Sequence, residues 1–520
     1  MSKIELLREH LRNTPNDGPA WFTLAQMLSQ GPPGEELFHV IEQSIKSLPE
    51  NDQVWLLAAT VQQRLRGSAA AAQWLEQTAQ QNPRLAAPQL ALASLLSSSD
   101  PAGAISRYKK IIAKFPQNNR AHELLTQLHL DQGDKLRQSG LWRKALTYYR
   151  EVEESRLDDP LLLNNIGCCL AGLEKFESAA EYFEKALRLK PDYIEARLNV
   201  GLLCASQSNG DEAISIISEV LKGPAIDPAA RRLAETILNV LSEHKRLKPV
   251  LRQSVQSGNV SELQLALEGT PGNLLQADQP SVDRLWTLAA LLGDYEFSPH
   301  QFSYTADTGN LPFVEAWAQC KFEGGVDELT RMYQFLANPS ADTDSFPRSR
   351  EVLNAWHIIR DRAAFSADLL QGKDGEAWLR YWHARLLSET PEKLPGQFKA
   401  ITNAIGNRPL TPPENVAGTI RVLLADIRPT LPAGLAKAVF MYVAVTMIHG
   451  FADGNGRLSR FILNWEAESA AAPLIVIPLN MRAQLTQSMD TAWYEGRLEP
   501  LIASIGEACA QTDRLLQHLD

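Results

Sequence analysis

The first half of the chain repeats one pattern of small and large apolar positions at a step of 34 residues. Trp21 and Trp55 stand one step apart, and so do Gly167 and Gly201. Farther along, alanines at the same step are each followed four positions later by a large apolar residue: Ala145, Ala179 and Ala213, then Tyr149, Phe183 and Ile217. Residues four apart share one face of a helix, and small residues let two helices cross closely. The pattern predicts stacked helix pairs.

The segment LLLNNIGCCLAGLEKFESAAEYFEKALRLKP, residues 161–191, contains both halves of one such unit. It resembles the tetratricopeptide repeat, and the resemblance extends from the N-terminus to about residue 265. Arrays of this kind form a superhelix whose concave face binds peptides or partner proteins. A rigid spacer and a dimerisation surface are the alternatives, because the repeat consensus does not specify a ligand.

The second half contains a different apolar pattern. The run AGLAKAVFMYVAVTMIH, residues 433–449, has the length and composition of a buried helix that ends at His449. The segment RLSRFILNWEAE, residues 457–468, follows shortly after and predicts an amphipathic helix. Arg457, Arg460 and Asn464 fall on its polar face.

The loop between these two helices has the composition of an anion site. Gly454 and Gly456 permit backbone angles at which successive N–H groups point into one concavity. Two arginines follow at the start of a helix, where the macrodipole also favours an anion. Asp453 lies in this positive region and needs a cation partner, for which Mg²⁺ bridging phosphate oxygens is the natural candidate.

The loop HGFADGNGRLSR, residues 449–460, resembles the HPFxxGNGRxxR signature of Fic-domain proteins, with Gly450 where proline is usual. The resemblance covers roughly residues 370–510. It implies a helical bundle with a small β-hairpin flap. It also implies that His449 is the general base that accepts a proton from a hydroxyl group of a target protein, and that Asp453 holds Mg²⁺. The residues expected to bind the phosphates of ATP are Gly454, Asn455, Gly456, Arg457, Arg460 and Asn464.

Two further segments have roles only through this resemblance. The flap is expected to align a target segment by strand pairing, and an ordinary structural hairpin is the alternative. Its residues are Gln397, Phe398, Lys399, Ala400, Ile401 and Thr402, with Lys399 in place of the more usual arginine. The segment TAWYEG, residues 491–496, fits the pattern of an inhibitory helix in which Glu495 would pair with Arg460. It also fits an ordinary terminal helix pair, which is the interpretation we expect.

Composition excludes several classes of protein. The net charge of -10, without a basic block, argues against nucleic-acid binding. The five cysteines show no metal-ligand spacing and favour a reducing compartment. The charged N-terminus lacks a signal-peptide core, and no stretch reaches the about 20 apolar residues of a membrane span. A cytoplasmic protein without membrane contact is expected, and export by a route without a cleaved signal is left open.

The sequence therefore predicts an all-α chain: a repeat array over 1–265, a helical connector over 266–350 and a Fic domain over 351–520. The predicted activity is transfer of AMP from ATP to a hydroxyl group of a protein recruited by the repeats, with Mg²⁺ as cofactor. Transfer of another phosphate-containing group, such as UMP or phosphocholine, and a non-catalytic nucleotide-binding scaffold are the alternatives. The sequence does not specify the oligomeric state.

Overall fold

A computed structural model describes most of the chain, in two compact units, Met1–Lys190 and Pro191–Asp520. The described residues are 2–519 without 33, 174, 208, 224–225, 299–301, 304–307, 323–327, 337–348, 373, 389, 391–392, 401–403 and 406–407. The predicted boundary at 265/266 follows the repeat pattern and differs from the division at Lys190, so the domain limits stay a prediction. No described helix is long and apolar enough to cross a membrane.

The first unit consists of paired helices in its described residues. They are α1 Lys3–Asn13, α2 Gly18–Ser29, α3 Glu35–Ser47, α4 Asp52–Arg66, α5 Ser68–Gln81, α6 Ala87–Leu96, α7 Pro101–Lys114, α8 Asn119–Gln138, α9 Trp142–Glu153, α10 Pro160–Gly172 and α11 Phe176–Leu189. Several begin at a side-chain cap, which satisfies free N–H groups of the first turn: Asn51, Asp100, Asn118 and Asp159. Each helix packs on its sequence neighbours.

Equivalent residues of the repeats make equivalent contacts. The indole N–H of Trp21 donates to the Pro15 carbonyl, and that of Trp55 donates to the Pro49 carbonyl, both at 2.8 Å. Gly167 lies where α10 meets α11, and a Cβ at this position would come within 2.6 Å of the Phe183 ring. The prediction of stacked helix pairs with small residues at the crossings is therefore confirmed.

The second unit begins with three further helices of the repeat region and continues into a helical bundle. Its elements are α12 Ile194–Ser206, α13 Gly210–Lys222, α14 Pro228–Ser257, α15 Ser261–Glu268, α16 Gln279–Gly293, α17 Leu311–Phe322, α18 Leu329–Leu336, α19 Ser349–Arg362, α20 Asp374–Leu386, β1 Ala404–Ile405, β2 Arg408–Pro409, α21 Val416–Val422, α22 Leu435–Ile448, α23 Asn455–Ser469, α24 Arg482–Glu495 and α25 Glu499–Gln517. Strands β1 and β2 form an antiparallel pair, with Ala404 opposite Pro409 and Ile405 opposite Arg408. The all-α prediction with one small hairpin is confirmed.

Helix α22 is the centre of the bundle. Eleven of its fourteen residues are buried, and its main neighbours are α16 and α23. Two buried ion pairs attach the surrounding segments. Arg362 on α19 donates to Glu315 on α17 at 2.6 and 2.9 Å, and Arg428 donates to Glu466 on α23 at 3.0 Å. Removing one partner of such a pair costs about 3–5 kcal/mol. The predicted connector is thus built into the core through α16 and α17.

Candidate active site

His449 ends α22 in a left-handed conformation, with φ 51° and ψ 53°. Its Nδ1 lies 3.3 Å from the Thr446 carbonyl. A carbonyl can only accept, so this contact places the ring proton on Nδ1 and leaves Nε2 with a free lone pair. Burial and the positive charge of Lys399 lower the pKa of His449 to about 4. The hydrogen bond to Thr446 and the negative charge of Asp453 raise this pKa, but by less. The ring is therefore neutral at pH 7.

Asp453 lies four residues farther along and is half-buried. Its Oδ2 accepts from Lys393 Nζ at 2.7 Å, and Oδ1 accepts from the Gly454 amide. Burial raises the pKa of Asp453, but hydrogen bonds from Lys393 and Gly454, with the charges of Lys393 and Arg457, lower it overall. An ionised carboxylate is the right donor for Mg²⁺, which proteins hold through one or two carboxylates together with phosphates. Lys393 would have to yield Oδ2 to the cation.

Gly454 precedes α23 with φ 76° and ψ 2°, a conformation that L side chains rarely adopt. A Cβ there would also lie 2.6 Å from Leu387 and 2.9 Å from His383 Nε2. Within the described part of the chain, no side chain caps α23. The amides of its first turn, from Asn455 to Arg457, therefore have the arrangement that attracts an anion.

Asn455 fixes the shape of this loop. Its Oδ1 accepts from the Phe451 amide at 2.9 Å, and its Nδ2 donates to the Phe451 carbonyl at 2.7 Å. The side chain is thus committed to the loop backbone, and its role toward phosphate stays a prediction. Asn464 is committed in a similar way, because its amide pairs with both backbone groups of Ile475 at 2.7 and 3.1 Å. The phosphate role of Asn464 also stays a prediction.

Arg457 and Arg460 lie near the start of α23 and are only 4% and 5% exposed. Arg457 Nη1 lies 3.9 Å from Glu351 Oε2. The guanidinium of Arg460 lies 4.1 Å from the centre of the Phe322 ring, and Arg482 approaches the same ring at 5.1 Å. The C-terminal end of α17 therefore packs on the second arginine of the loop, a contact that the sequence did not reveal.

Two of the predicted flap residues pair with the loop after α22. Phe398 forms an isolated antiparallel bridge with Phe451, and the Lys399 amide donates to the Gly450 carbonyl at 2.8 Å. Gln397, Phe398, Lys399 and Ala400 are buried, between 1% and 7% exposed. The hairpin itself is formed by β1 and β2, beyond these residues. Ile401 and Thr402 lie outside the described residues. Target docking by this segment stays a prediction.

Lys399 is 1% exposed, and its burial lowers the pKa of its ammonium group to about 7 although Glu414 raises it. The same ammonium group lowers the pKa of His449. A buried lysine therefore acts electrostatically on the candidate base from the flap side.

His383 on α20 is a site residue that sequence reasoning missed. Its Nδ1 accepts from the Gly396 amide at 2.7 Å, and its Nε2 lies 2.8 Å from the Asp453 carbonyl, to which it donates. The ring also stacks on Phe451 with centroids 3.8 Å apart. Mainly through burial, the pKa of His383 is lowered to about 3, so the ring stays neutral. His383 thus ties the start of the flap to the loop that contains Asp453.

Glu495 is exposed at the end of α24. It accepts from Arg497 Nε at 3.0 Å and also from Nη2 of the same side chain. This surface pair favours the interpretation of TAWYEG as part of the terminal helix pair. Inhibition by Glu495 stays a prediction that the observed contact does not support.

Comparison with known families matches the segment that holds this site. A model of the Fic/DOC family matches residues 374–467, which contain α20, the flap and the loop after α22. This segment is a Fic/DOC domain. Tetratricopeptide-repeat models match residues 160–193 and 91–136. The chain therefore combines a Fic/DOC domain with tetratricopeptide repeats, as the sequence predicted.

Individual relatives match parts of the chain. The peroxisomal targeting signal receptor of Kluyveromyces lactis is 26% identical over 156 residues, which cover 30% of this chain and 24% of the receptor. Protein ycf37 of Cyanophora paradoxa is 31% identical over 97 residues, covering 18% of this chain and 56% of that protein. The chain thus spans about a quarter of the length of the receptor. A solved structure of Fic-1 from C. elegans is 18% identical, covers 66% of this chain and 92% of that one, and has a TM-score of 0.30.

Proposed function

We propose that the protein transfers AMP from ATP to a hydroxyl group of a target protein that its repeats bind. The observation that carries the proposal is the pairing of a neutral histidine with an anion site. His449 has its Nδ1 directed to the Thr446 carbonyl, and the uncapped N-terminus of α23 begins six residues later at Asn455. A base and a phosphate site within one loop are what transfer to a hydroxyl requires.

In the proposed reaction the target hydroxyl oxygen attacks the α-phosphorus of ATP. The new O–P bond forms as the bond from that phosphorus to the oxygen bridging toward the β-phosphate breaks, and pyrophosphate leaves. The hydroxyl proton passes to Nε2 of His449, the ring nitrogen with the free lone pair. A positioned base of this kind contributes about 10² to 10⁴ in rate.

The remaining contributions are charge neutralisation and positioning. The first-turn amides of α23 and the two arginines, Arg457 and Arg460, supply positive charge at one end of the loop. Asp453 would hold Mg²⁺, which would supply positive charge to neutralise the phosphates of the nucleotide. His383 and Asn455 fix the backbone around Asp453 and Phe451, so that these groups are in place before the nucleotide binds.

The repeats support recruitment of a protein target. Tetratricopeptide arrays bind peptides and proteins on their concave face. A relative of part of this chain is named as a peroxisomal targeting signal receptor. We infer that the repeats bind the target protein and that the Fic/DOC domain modifies it.

Two other functions make different predictions for one experiment. The full-length protein is incubated with Mg²⁺ and, in parallel, ATP, UTP or CDP-choline, and its intact mass is followed with time. We expect self-modification by one AMP group with ATP only. Addition of UMP or phosphocholine would replace the proposed donor with another. Nucleotide binding by calorimetry without any mass gain would favour the non-catalytic scaffold.

A further inference from the structure

A cleft with a volume of about 590 Å³ lies between the repeat helices of the second unit and the chain that enters the flap. Helices α12, α13 and α14 provide one side of it, and Leu394 and Gln397 provide the other. We call it the α14–flap cleft. Gln397 directly precedes the residues that pair with the catalytic loop at Gly450 and Phe451. The cleft is therefore connected through the backbone to the candidate active site.

The rim of this cleft is basic. Lys245, Lys248 and Arg252 follow one another at i, i+3 and i+7 along α14, so they lie on one face of the helix, and all three are exposed. Asp211 is the acidic residue among the lining groups, and it pairs with Lys245 at 2.6 Å. Lys248 and Arg252 thus leave a net positive charge at the mouth, which favours an anionic ligand.

The wall of the cleft contains a buried polar atom without a hydrogen-bond partner. His244 lines the cleft and is 8% exposed. Among the described residues no group bonds to its Nε2. A buried polar atom without a partner is costly, and a hydrogen bond with a polar group of a ligand would satisfy it.

We propose that the α14–flap cleft binds an extended acidic segment of the substrate protein. A backbone polar group of the segment forms a hydrogen bond with Nε2 of His244, and its carboxylates pair with Lys248 and Arg252. The proposal rests on the proposed function, because it takes the ligand to be part of the protein that is modified. Gln397 lines the cleft and precedes Phe398, which bridges to Phe451 two residues after the candidate base, so a segment bound here lies beside the chain that reaches the candidate active site.

The chemistry of the cleft favours a peptide over a nucleic acid. Nucleic-acid sites neutralise many phosphates, and the cleft offers two cations beyond the Lys245–Asp211 pair on a chain of net charge -10. A peptide supplies both a backbone polar group for Nε2 of His244 and a small number of carboxylates. Binding of an extended chain by backbone hydrogen bonds and a few side-chain contacts is a common recognition mode.

The test uses full-length protein and defined peptide probes. Fluorescein-labelled decapeptide pools contain Asp, Glu, Ser and Leu in equal proportion, or Asn and Gln in place of the two acids, and binding is followed by anisotropy. We expect the acidic pool to bind about 10-fold more tightly than the amide pool, and this preference should fall with added salt. Equal affinity for both pools would overturn the proposal.

Variants locate the binding. Lys248→Glu with Arg252→Glu should abolish the preference for the acidic pool, whereas Arg232→Glu, at an exposed position elsewhere on α14, should leave it unchanged. His244→Asn removes Nε2, and we expect it to weaken binding about 2- to 10-fold. Undiminished acidic-pool binding by the charge-reversed protein contradicts the assignment. Tighter binding of a single-stranded oligonucleotide at the same residues would assign the cleft to nucleic acid instead.

Anisotropy requires no turnover, so the two proposals fail separately. If the protein transfers no nucleotide but prefers acidic peptides through these residues, the proposed reaction is wrong and the cleft is a binding site. If self-modification with AMP occurs and the acidic pool shows no preference, the cleft proposal is wrong and the reaction stands.

Discussion

Self-modification should persist well below the pH at which an ordinary histidine becomes charged. Only the neutral ring of His449 can accept the hydroxyl proton, and its pKa is lowered to about 4 from an ordinary value of 6.5. The difference corresponds to about 3 kcal/mol of preference for the neutral ring. At pH 5.5 about 97% of such rings are neutral, compared with about 9% for an ordinary histidine. The expected difference in rate is therefore about tenfold.

The assay measures the initial rate of self-modification by intact mass between pH 4 and pH 8, at constant ionic strength with Mg²⁺ and ATP. Near-UV circular dichroism at each pH confirms that the protein remains folded. Ionisation of ATP also affects the profile, so the informative quantity is the difference between wild type and a variant. Lys399→Met is the matched variant, because it retains an apolar side chain of similar length and removes the charge.

Lys399 lowers the pKa of His449 through its charge, so the midpoint of the fall in rate at low pH should move to higher pH in the Lys399→Met variant. Burial is the larger cause of the lowered pKa and is retained, so this midpoint should stay below pH 6.5. A wild-type midpoint at pH 6 to 6.5, or the same midpoint in the variant and the wild type, would refute the electrostatic account of this base.

Three further predictions concern neighbouring contacts. Phe322→Ala removes the ring that packs on Arg460, so that ATP no longer competes with this ring for the guanidinium. A cation–π contact contributes about 0.5–2 kcal/mol, so ATP affinity measured by calorimetry should rise about 2- to 30-fold. Unchanged or weaker binding would show that the ring does not obstruct the site. Burial lowers the pKa of His383 below its unfolded value of about 6.5, so the stability that the neutral ring contributes is complete above that pH and is lost as pH falls toward 3. Between pH 7 and pH 5 the free energy of unfolding should fall by about 2 kcal/mol through this ring. Urea unfolding of His383→Asn at the two pH values should not show this decrease. Glu495→Gly should leave the self-modification rate unchanged, because Glu495 pairs with Arg497, and a sharp rise in rate would instead identify it as an inhibitor.

The features that could be predicted from sequence are those encoded by neighbouring residues. The 34-residue step fixes which helix faces meet, and Gly167 against Phe183 shows that the small residues occur where the pattern requires them. The loop from His449 to Arg460 is contiguous, so its helix, turn and helix follow from local sequence alone. The left-handed Gly454 and the end of α22 at Ile448 are both of this kind.

The features that were missed depend on contacts between distant parts of the chain. His383 bonds to a carbonyl 70 positions away, and nothing in the helix around it distinguishes this histidine from one in an ordinary core. Phe322 reaches Arg460 only because α17 packs against the bundle, which the composition of the predicted connector did not suggest. The contact of Phe398 and Lys399 with Phe451 and Gly450 is of the same kind, because about 50 residues separate the two segments.

The central claim is that one loop both binds ATP and supplies the base for its transfer. The most direct test compares wild type with His449→Ala, measuring Mg²⁺-dependent ATP binding by calorimetry and the rate of AMP addition by intact mass. The variant retains Asp453, the α23 N-terminus and both arginines, so ATP binding should survive while transfer falls about 10² to 10⁴-fold. Absence of ATP binding by the wild type, or transfer by the variant at the wild-type rate, would contradict the claim.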